Sequence, residues 1–319
     1  VTRSERPQTA RIAVDLLGGD SAPAVVVDGA LRAFDVDPDL HLHLVGPPEG
    51  ADAVRSACPP AVRPWLSSQP VQAVVGMADS PARAARPDTT VRAAVAAVAS
   101  GRADAVVSAG ASGATVTAAV LGLGRSPGVR RPALAAVVPS GAGPVMLLDV
   151  GASLDSSVAV LVQHAALGAR HASALLGLAT PRIGLLSVGA EEGKGDRMRR
   201  IADDQLRRTV AGYVGNVEGH DVPLGGPADV VVTDGFTGNV LLKGIEGGFA
   251  LAGGVAATSD VPRGAVLLGV NGLVVVCHGA ATGADVASGI LLAARLHRSR
   301  VPSTAPAPAP APAAWRKRW

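Results

Sequence analysis

Lysine and asparagine are scarce in this chain, and their positions say what chemistry they suit. The 319 residues hold three of each, and five of those six lie in glycine-rich segments of the kind that end strands or turn the chain beside them. Lys194 lies in Gly189-Ala190-Glu191-Glu192-Gly193-Lys194-Gly195, and Asn239 and Lys243 follow Asp234-Gly235-Phe236-Thr237-Gly238. Asn216 opens Asn216-Val217-Glu218-Gly219, and Asn271 sits in Gly269-Val270-Asn271-Gly272. A chain that otherwise takes its positive charge from arginine keeps an ammonium where a compact point charge is wanted, because the guanidinium fork differs in reach and geometry. Lys194 could neutralise an incoming phosphate or a developing oxyanion, with Glu191 and Glu192 to solvate, orient or pair with it. The plainer alternative is an exposed charged turn.

Other chemistries fit less well. The Gly189–Lys194 stretch has three residues where a nucleotide-binding P-loop has four, and Gly195 replaces the hydroxyl that would hold magnesium. Gly110-Ala111-Ser112-Gly113 is not the nucleophile elbow of a serine hydrolase. Cys277 and His278 are neighbours, and neighbours on a strand point to opposite faces, so they do not form a nucleophile–base pair. Cys277 is expected in the core, and His278, before Gly279 at a strand end, is a site candidate or a capping residue. His41 and His43 share one strand face with no third ligand nearby, so no metal is expected. Arg125, Arg130 and Arg131 form the densest basic patch in the body, suited to an acidic partner or to solvent.

These residues need a scaffold of alternating strands and helices. Short β-branched runs predict strands at 12–15, 41–45, 71–75, 105–107, 133–138, 145–149, 183–187, 230–233 and 273–277. Between them, Ala-rich stretches predict helices at 24–34, 90–100, 114–123, 158–176, 197–210, 239–251 and 281–296. Such alternation builds a mainly parallel sheet. Several strands run straight into glycine-bearing polar loops, at Gly18-Gly19-Asp20, Ser108-Ala109-Gly110, Gly151, Gly189 and Asp234-Gly235. In an open α/β sheet, ligands bind outside the carboxyl ends of the strands, so these loops are expected to converge on one site. Each glycine could also simply make a tight turn.

Composition narrows the class further. With 48% apolar residues the chain can bury a full core, and 2% aromatic residues argue against a stacking platform for nucleic acid. Two cysteines with neither metal spacing nor a disulfide framework suit a reducing cytoplasm. No signal peptide or membrane-spanning run is read in the sequence. The formal charge of +3 comes from the end of the chain, whose last 27 residues hold six cations and no acid, leaving the body at −3. No nucleic-acid partner follows from that balance. The expected organisation is a disordered segment at 1–10, one α/β domain at 11–297, and an Ala-Pro linker with a basic, Trp-flanked tail at 298–319.

Taken in order, the motifs resemble the phosphate acyltransferase (PlsX-type) family of bacterial phospholipid synthesis. The matching stretches include Asp15 with Gly18-Gly19-Asp20, Asp79-Ser80-Pro81, Ser108-Ala109-Gly110 with Gly113, Arg131-Pro132, and Asp149-Val150-Gly151-Ala152 with Asp155. They continue through Glu191 to Gly195, Gly215 to Gly219, 228–239, 267–272 and His278-Gly279. The resemblance implies a three-layer α/β/α fold like that of isocitrate and isopropylmalate dehydrogenases and phosphotransacetylases. It also implies a homodimer that moves a fatty acyl group from acyl carrier protein to inorganic phosphate. Phosphate is itself the nucleophile there, so no cofactor, metal or protein nucleophile is required; an ammonium, amide donors and loop N–H groups are. On that basis Lys194, Asn239 and His278 are the expected catalytic residues. Asp20, Ser108, Gly110, Ser112, Gly113, Asp149, Asp155, Glu192, Asp234, Thr237 and Asn271 are expected around substrate or phosphate. Arg125, Arg130 and Arg131 would dock the acidic carrier protein. A non-catalytic or specialised-pathway homologue that binds acyl carrier protein, and a phosphotransacetylase using coenzyme A, are the alternatives.

Three departures from the family pattern stand out. Ala111-Ser112 stand for the family's Asn-Thr, Ser153 replaces a second family asparagine and Ser156-Ser157 a Lys-Pro, and Ala280-Ala281 follow His278-Gly279 where a hydroxyl or cation is usual. Each lost hydrogen bond to a charged substrate would cost roughly 1.5 to 3 kcal/mol. Residues 247–263 are short where the family carries a longer membrane-contacting segment. The tail Trp315 to Trp319 could replace that contact at an anionic membrane surface, or remain solvated.

Overall fold

The computed structural model describes residues 9–253 and 261–300. Most of the expected N-terminal segment (1–8), part of the shortened segment (254–260), and the linker and tail from 301 onward lie outside the described residues.

The strands are β1 (Ala10–Asp15), β2 (Leu40–Gly46), β3 (Leu66–Pro70), β4 (Ala105–Ser108), β5 (Ala133–Val138), β6 (Val145–Leu148), β7 (Ile183–Leu186), β8 (Tyr213–Val217), β9 (Val230–Val232), β10 (Ala265–Leu268) and β11 (Leu273–Val276). The helices are α1 (Ala24–Val36), α2 (Pro48–Ala57), α3 (Thr90–Ala99), α4 (Ser112–Leu123), α5 (Val158–Leu176), α6 (Arg197–Thr209), α7 (Asp221–Leu224), α8 (Gly235–Leu251) and α9 (Gly283–Arg298). The strands form one sheet in the order β3-β2-β1-β4-β11-β10-β5-β6-β9-β7-β8.

Apolar runs such as β5, buried at all six residues, need cover on both faces of the sheet. Alternate side chains supply two cores. Ile12, Val14, Leu148 and Leu185 pack with α1, α2, α5, α6 and α9, whereas Ala13, Val106, Leu147 and Val231 pack with α3, α4 and α8. The result is the expected three-layer α/β/α architecture with a mostly parallel sheet.

Strand direction decides where the loops go. β10 is antiparallel to both β11 and β5, and β5 is antiparallel to β6. These three reversals make the half β3-β2-β1-β4-β11 run opposite to the half β6-β9-β7-β8. The expected convergence of all the glycine loops is therefore corrected: those after β1, β4 and β11 leave the sheet in one direction, and those after β6, β7 and β9 in the other.

Several elements differ from the sequence reading, each for a local reason. The first edge strand is β3, Leu66–Pro70, and not 71–75, because only Leu66 is buried and its polar face carries no apolar run. Residues 71–75 contribute just an isolated bridge between Ala73 and Thr89. β8 is disguised by Gly215, whose φ of +105° sits at a register shift against β7. β10 is the first arm of an antiparallel hairpin, α2 is a short helix that buries only Gly50, Ala51 and Val54, and α7 is a single turn.

Within α5 the buried His171 is 3% exposed, and neither ring nitrogen has a partner among the described residues. Burial lowers its pKa from 6.5 to about 4. The unfolded chain takes up a proton below pH 6.5 that the folded chain refuses, so this residue's contribution is full above that pH and is lost on acidification toward pH 4. Up to about 3 kcal/mol is at stake. His171→Leu is expected to flatten the fall of the urea midpoint between pH 6.5 and 4.

Candidate active site

Asp149, directly after β6, is fully buried and organises one end of the site. Its Oδ1 accepts from the backbone N–H groups of Leu134 (3.0 Å), Gly151 (3.0 Å) and Ala152 (2.8 Å). Its Oδ2 accepts from the Ser153 N–H and hydroxyl, both at 2.9 Å. All its strong acceptor directions are thus used inside the protein, so Asp149 shapes the loop and presents no free oxygen to a ligand. Ser153 is likewise turned inward onto Asp149.

Helix α8 is seated on this loop by two glycines. A Cβ at Gly238 would stand 2.0 Å from the Asp149 carbonyl oxygen, and one at Gly235 would stand 2.1 Å from that of Ser153. No side chain fits at that approach. The helix begins four residues earlier than the sequence reading placed it, with Asp234 as its N-cap accepting from Thr237 N at 2.9 Å. Asp234 also accepts from the Thr237 hydroxyl (2.8 Å) and from Arg199 Nη2 on α6 (2.5 Å). Burial opposes its charge, but the Thr237 donors and Arg199 outweigh it and hold the carboxyl below the usual range. Arg199 further donates to the Leu186 carbonyl (3.1 Å) and to Asp196 (2.6 Å), locking α6 to β7 and α8. Sequence reading missed Arg199, since nothing in Arg197-Met198-Arg199-Arg200 marks which arginine turns inward.

Around this frame stand Lys194 and Asn239. The turn carrying Lys194 is tied by the Glu191 carbonyl, which accepts from Lys194 N and from the buried Asn216 Nδ2, both at 3.2 Å. The Lys194 ammonium makes no hydrogen bond or ion pair among the described residues, and neither Glu191 nor Glu192 is salt-bridged to it. The Asn239 amide is half-buried beside Gly151 and also has no hydrogen-bond partner among the described residues. Asp155 and Glu192 are exposed.

The other end of the site forms at β1, β4 and β11. Ser108 Oγ donates to Asp15 Oδ2 at 2.8 Å and accepts from Gly110 N at 3.1 Å. Burial pushes the Asp15 carboxyl up, against the hydrogen bonds that hold its charge. Asp20 N donates to the Gly279 carbonyl at 2.8 Å, placing the Asp20 loop beside His278. Ser112 and Gly113 open the first turn of α4, with Gly113 against Pro81. His278 Nε2 lies 2.6 Å from Glu246 Oε1, so α8 reaches from the Asp149 loop to the end of β11. Cys277 is buried, with its thiol pushed up to about 12 by burial, which suits its expected core role. His43 is buried against Ser67 at 2.9 Å, and His41 packs edge-on to Trp65.

The arginine loop is held by hydrogen bonds from α5 and from Asn271 and leads into Leu134, whose N–H donates to Asp149. Gln163 on α5 clamps it by accepting from Arg130 N and donating to the Gly128 carbonyl, each at 2.8 Å. Asn271 Nδ2 donates to the Arg125 carbonyl at 3.2 Å, so Asn271 holds this loop. Arg125, Arg130 and Arg131 are exposed. The structure thus brings Lys194, Asn239, Asp149, Asp234 and Thr237 into one framework, and Asp20, Ser108, Gly110 and His278 into a second at the far end of α8.

Comparison with known proteins gives this arrangement a family. The model of the "Fatty acid synthesis protein" family matches residues 10–260. A phosphate acyltransferase of Desulfitobacterium hafniense (strain DSM 10664 / DCB-2) is 38% identical over 300 residues, 84% of this chain and 88% of its own. One of Thermobifida fusca (strain YX) is 40% identical over 332 residues, covering 93% of this chain and 91% of its own. A phosphotransacetylase from Streptococcus pyogenes superposes with a TM-score of 0.62 at 17% identity, over 90% of this chain and 94% of its own. A 4-hydroxythreonine-4-phosphate dehydrogenase from Klebsiella pneumoniae gives 0.52 at 14% identity, over 92% and 100%. Those two likenesses establish the fold. On its sequence matches, this chain belongs to the fatty acid synthesis protein family and is a transferase of the phosphate acyltransferase type.

Proposed function

We propose that the enzyme takes a fatty acyl group from the thioester of acyl carrier protein and transfers it to inorganic phosphate, giving acyl phosphate for phospholipid synthesis. What supports this reading is a contrast between committed and free groups. Asp149, Asp234, Ser153 and Thr237 are saturated by internal bonds, whereas the Lys194 ammonium and the Asn239 amide are left without partners among the described residues. A free cation and a free amide held on a rigid frame suit a phosphate and the oxyanion formed when it attacks a thioester. The homodimer expected from the family belongs to the same proposal, and the exposed apolar side chains Phe236, Val240 and Leu251 along α8 support it.

Mass spectrometry of the full chain with acyl carrier protein thioesters and phosphate is expected to show acyl phosphate. No product at any chain length would refute the proposal, and carrier-protein binding without turnover would favour a non-catalytic homologue. Faster turnover with acyl-coenzyme A would favour the phosphotransacetylase reading. Docking is assigned to the clamped arginine loop. Reversing Arg130 and Arg131 to glutamate is expected to raise the KM for acyl carrier protein about tenfold at low salt, with kcat retained.

A further inference from the structure

Two polar groups beneath the Lys194 turn are buried and uncommitted. Ser187, directly after β7, is 9% exposed, and Asn216, on β8, is 5% exposed. Neither the Ser187 hydroxyl nor Asn216 Oδ1 has a hydrogen-bond partner among the described residues. Asn216 aims its amide nitrogen at the Glu191 carbonyl, 3.2 Å away, which only accepts, so Oδ1 is the end left over. Buried polar atoms are nearly always paired, and an orphan calls for a physical reason.

The two orphans belong to one place. Asn216 is the register partner of Leu185, and Ser187, whose N–H continues the ladder to the Val217 carbonyl at 2.9 Å, stands two residues past Leu185. That is about 6.6 Å along the strand and on the same face of the sheet. The turn 189–195 closes over both. Glu191 O, held by Asn216, also accepts from Lys194 N at 3.2 Å, and a Cβ on Gly195, whose φ is +93°, would stand 2.9 Å from Ser187 Oγ. Lys194 is thus carried between the residue tied to Asn216 and the residue packed on Ser187.

We infer that the turn between β7 and α6 is the phosphate pocket, in which Ser187 donates to a phosphate oxygen and Asn216 Oδ1 accepts from the phosphate's own O–H. The inference rests on the phosphate acyltransferase reading above and deepens it by naming the loop that takes the acyl acceptor. Monohydrogen phosphate has the required character: its oxygens accept from the hydroxyl and from the Lys194 ammonium, and its remaining proton serves the buried acceptor. Sulfate has the same shape and charge but no proton, so it leaves Asn216 Oδ1 unpaired. Asp196, the acid that caps α6 beside this turn, is paired with Arg199 at 2.6 Å. Because the turn covers both orphan atoms, phosphate enters as the turn swings outward, with Lys194 moving on it.

Isothermal titration of the full chain with inorganic phosphate tests this without turnover. Ser187→Ala is expected to raise the Kd for phosphate about 10- to 100-fold, the loss of one hydrogen bond to a charged group. Its urea midpoint is expected to equal or exceed that of wild type, because the hydroxyl removed has no partner in the fold. Sulfate is expected to bind wild type at least about tenfold more weakly than phosphate. In turnover, Ser187→Ala should raise the KM for phosphate by the same factor as the Kd and leave the KM for carrier-protein thioester within about twofold. An unchanged phosphate Kd in Ser187→Ala would overturn the inference, as would sulfate binding as tightly as phosphate or no phosphate binding by wild type. A lowered urea midpoint in Ser187→Ala would also overturn it, since the hydroxyl would then serve the fold. Wild type that shows the expected binding pattern but makes no acyl phosphate refutes acyl transfer and leaves the pocket standing. Acyl phosphate formed by Ser187→Ala with an unaltered KM for phosphate does the reverse.

Discussion

Lys194→Ala is expected to cut kcat/KM for acyl phosphate formation by about 10² to 10³, measured at fixed acyl carrier protein thioester over a phosphate series. The reason is the state of the side chain. Lys194 is an exposed ammonium on a turn whose backbone is pinned by Asn216, and no carboxylate among the described residues neutralises it. Its charge is therefore free to act on phosphate and on the developing oxyanion. Because it holds nothing else together, the variant should keep its thermal midpoint within about 2 °C of wild type, since surface changes of this kind stay within about 0.5 kcal/mol. Lys194→Arg is expected to recover only a small part of the loss, because the planar fork cannot reproduce a point charge on the same stem. Wild-type activity in Lys194→Ala would remove this residue from the site.

Asp149→Ala acts in the opposite way, through the fold. Its carboxylate accepts from four backbone N–H groups and one hydroxyl while itself fully buried. Truncation strands those donors where water does not reach, and each unsatisfied buried group costs about 1 to 3 kcal/mol. Even with partial relaxation the loss is expected to reach about 4 kcal/mol or more, measured as the fall in unfolding free energy in urea. Asp149→Asn should be milder, since one oxygen still accepts, yet its amide N–H₂ would face the donors that Oδ1 or Oδ2 had served. Loss of activity in Asp149→Ala would follow from loss of the loop that seats α8, so the residue belongs to the architecture of the site. A stable Asp149→Ala would contradict this assignment.

Legibility in the sequence followed the physical character of each element. The central strands read correctly because a strand covered on both faces is a continuous apolar run, as in β5 and β9. Strands at the rim, β3 and β8, are polar or broken by glycine, and the antiparallel arm β10 sits in a hairpin that a βα reading does not anticipate. The scarce lysine and asparagine residues marked positions of consequence but did not separate their tasks. Asn216 anchors the Lys194 turn and Asn271 holds the arginine loop, while Asn239 alone of the three is left without a hydrogen-bond partner among the described residues. Ser153, expected from the sequence to bear on substrate contacts, instead spends its hydroxyl on Asp149.

By itself, the order of motifs determined the family and the class of fold, because local runs, turns and loop residues survive as a readable string. Only the tertiary structure decided which groups are free and which are committed. Three antiparallel steps in the middle of the sheet send the two sets of loops in opposite directions, and α8, seated through Gly235 and Gly238, spans between them. Arg199 gained its role in the same way: it meets Asp234 from a distant part of the chain, and a pairing set by packing leaves no mark in local spacing.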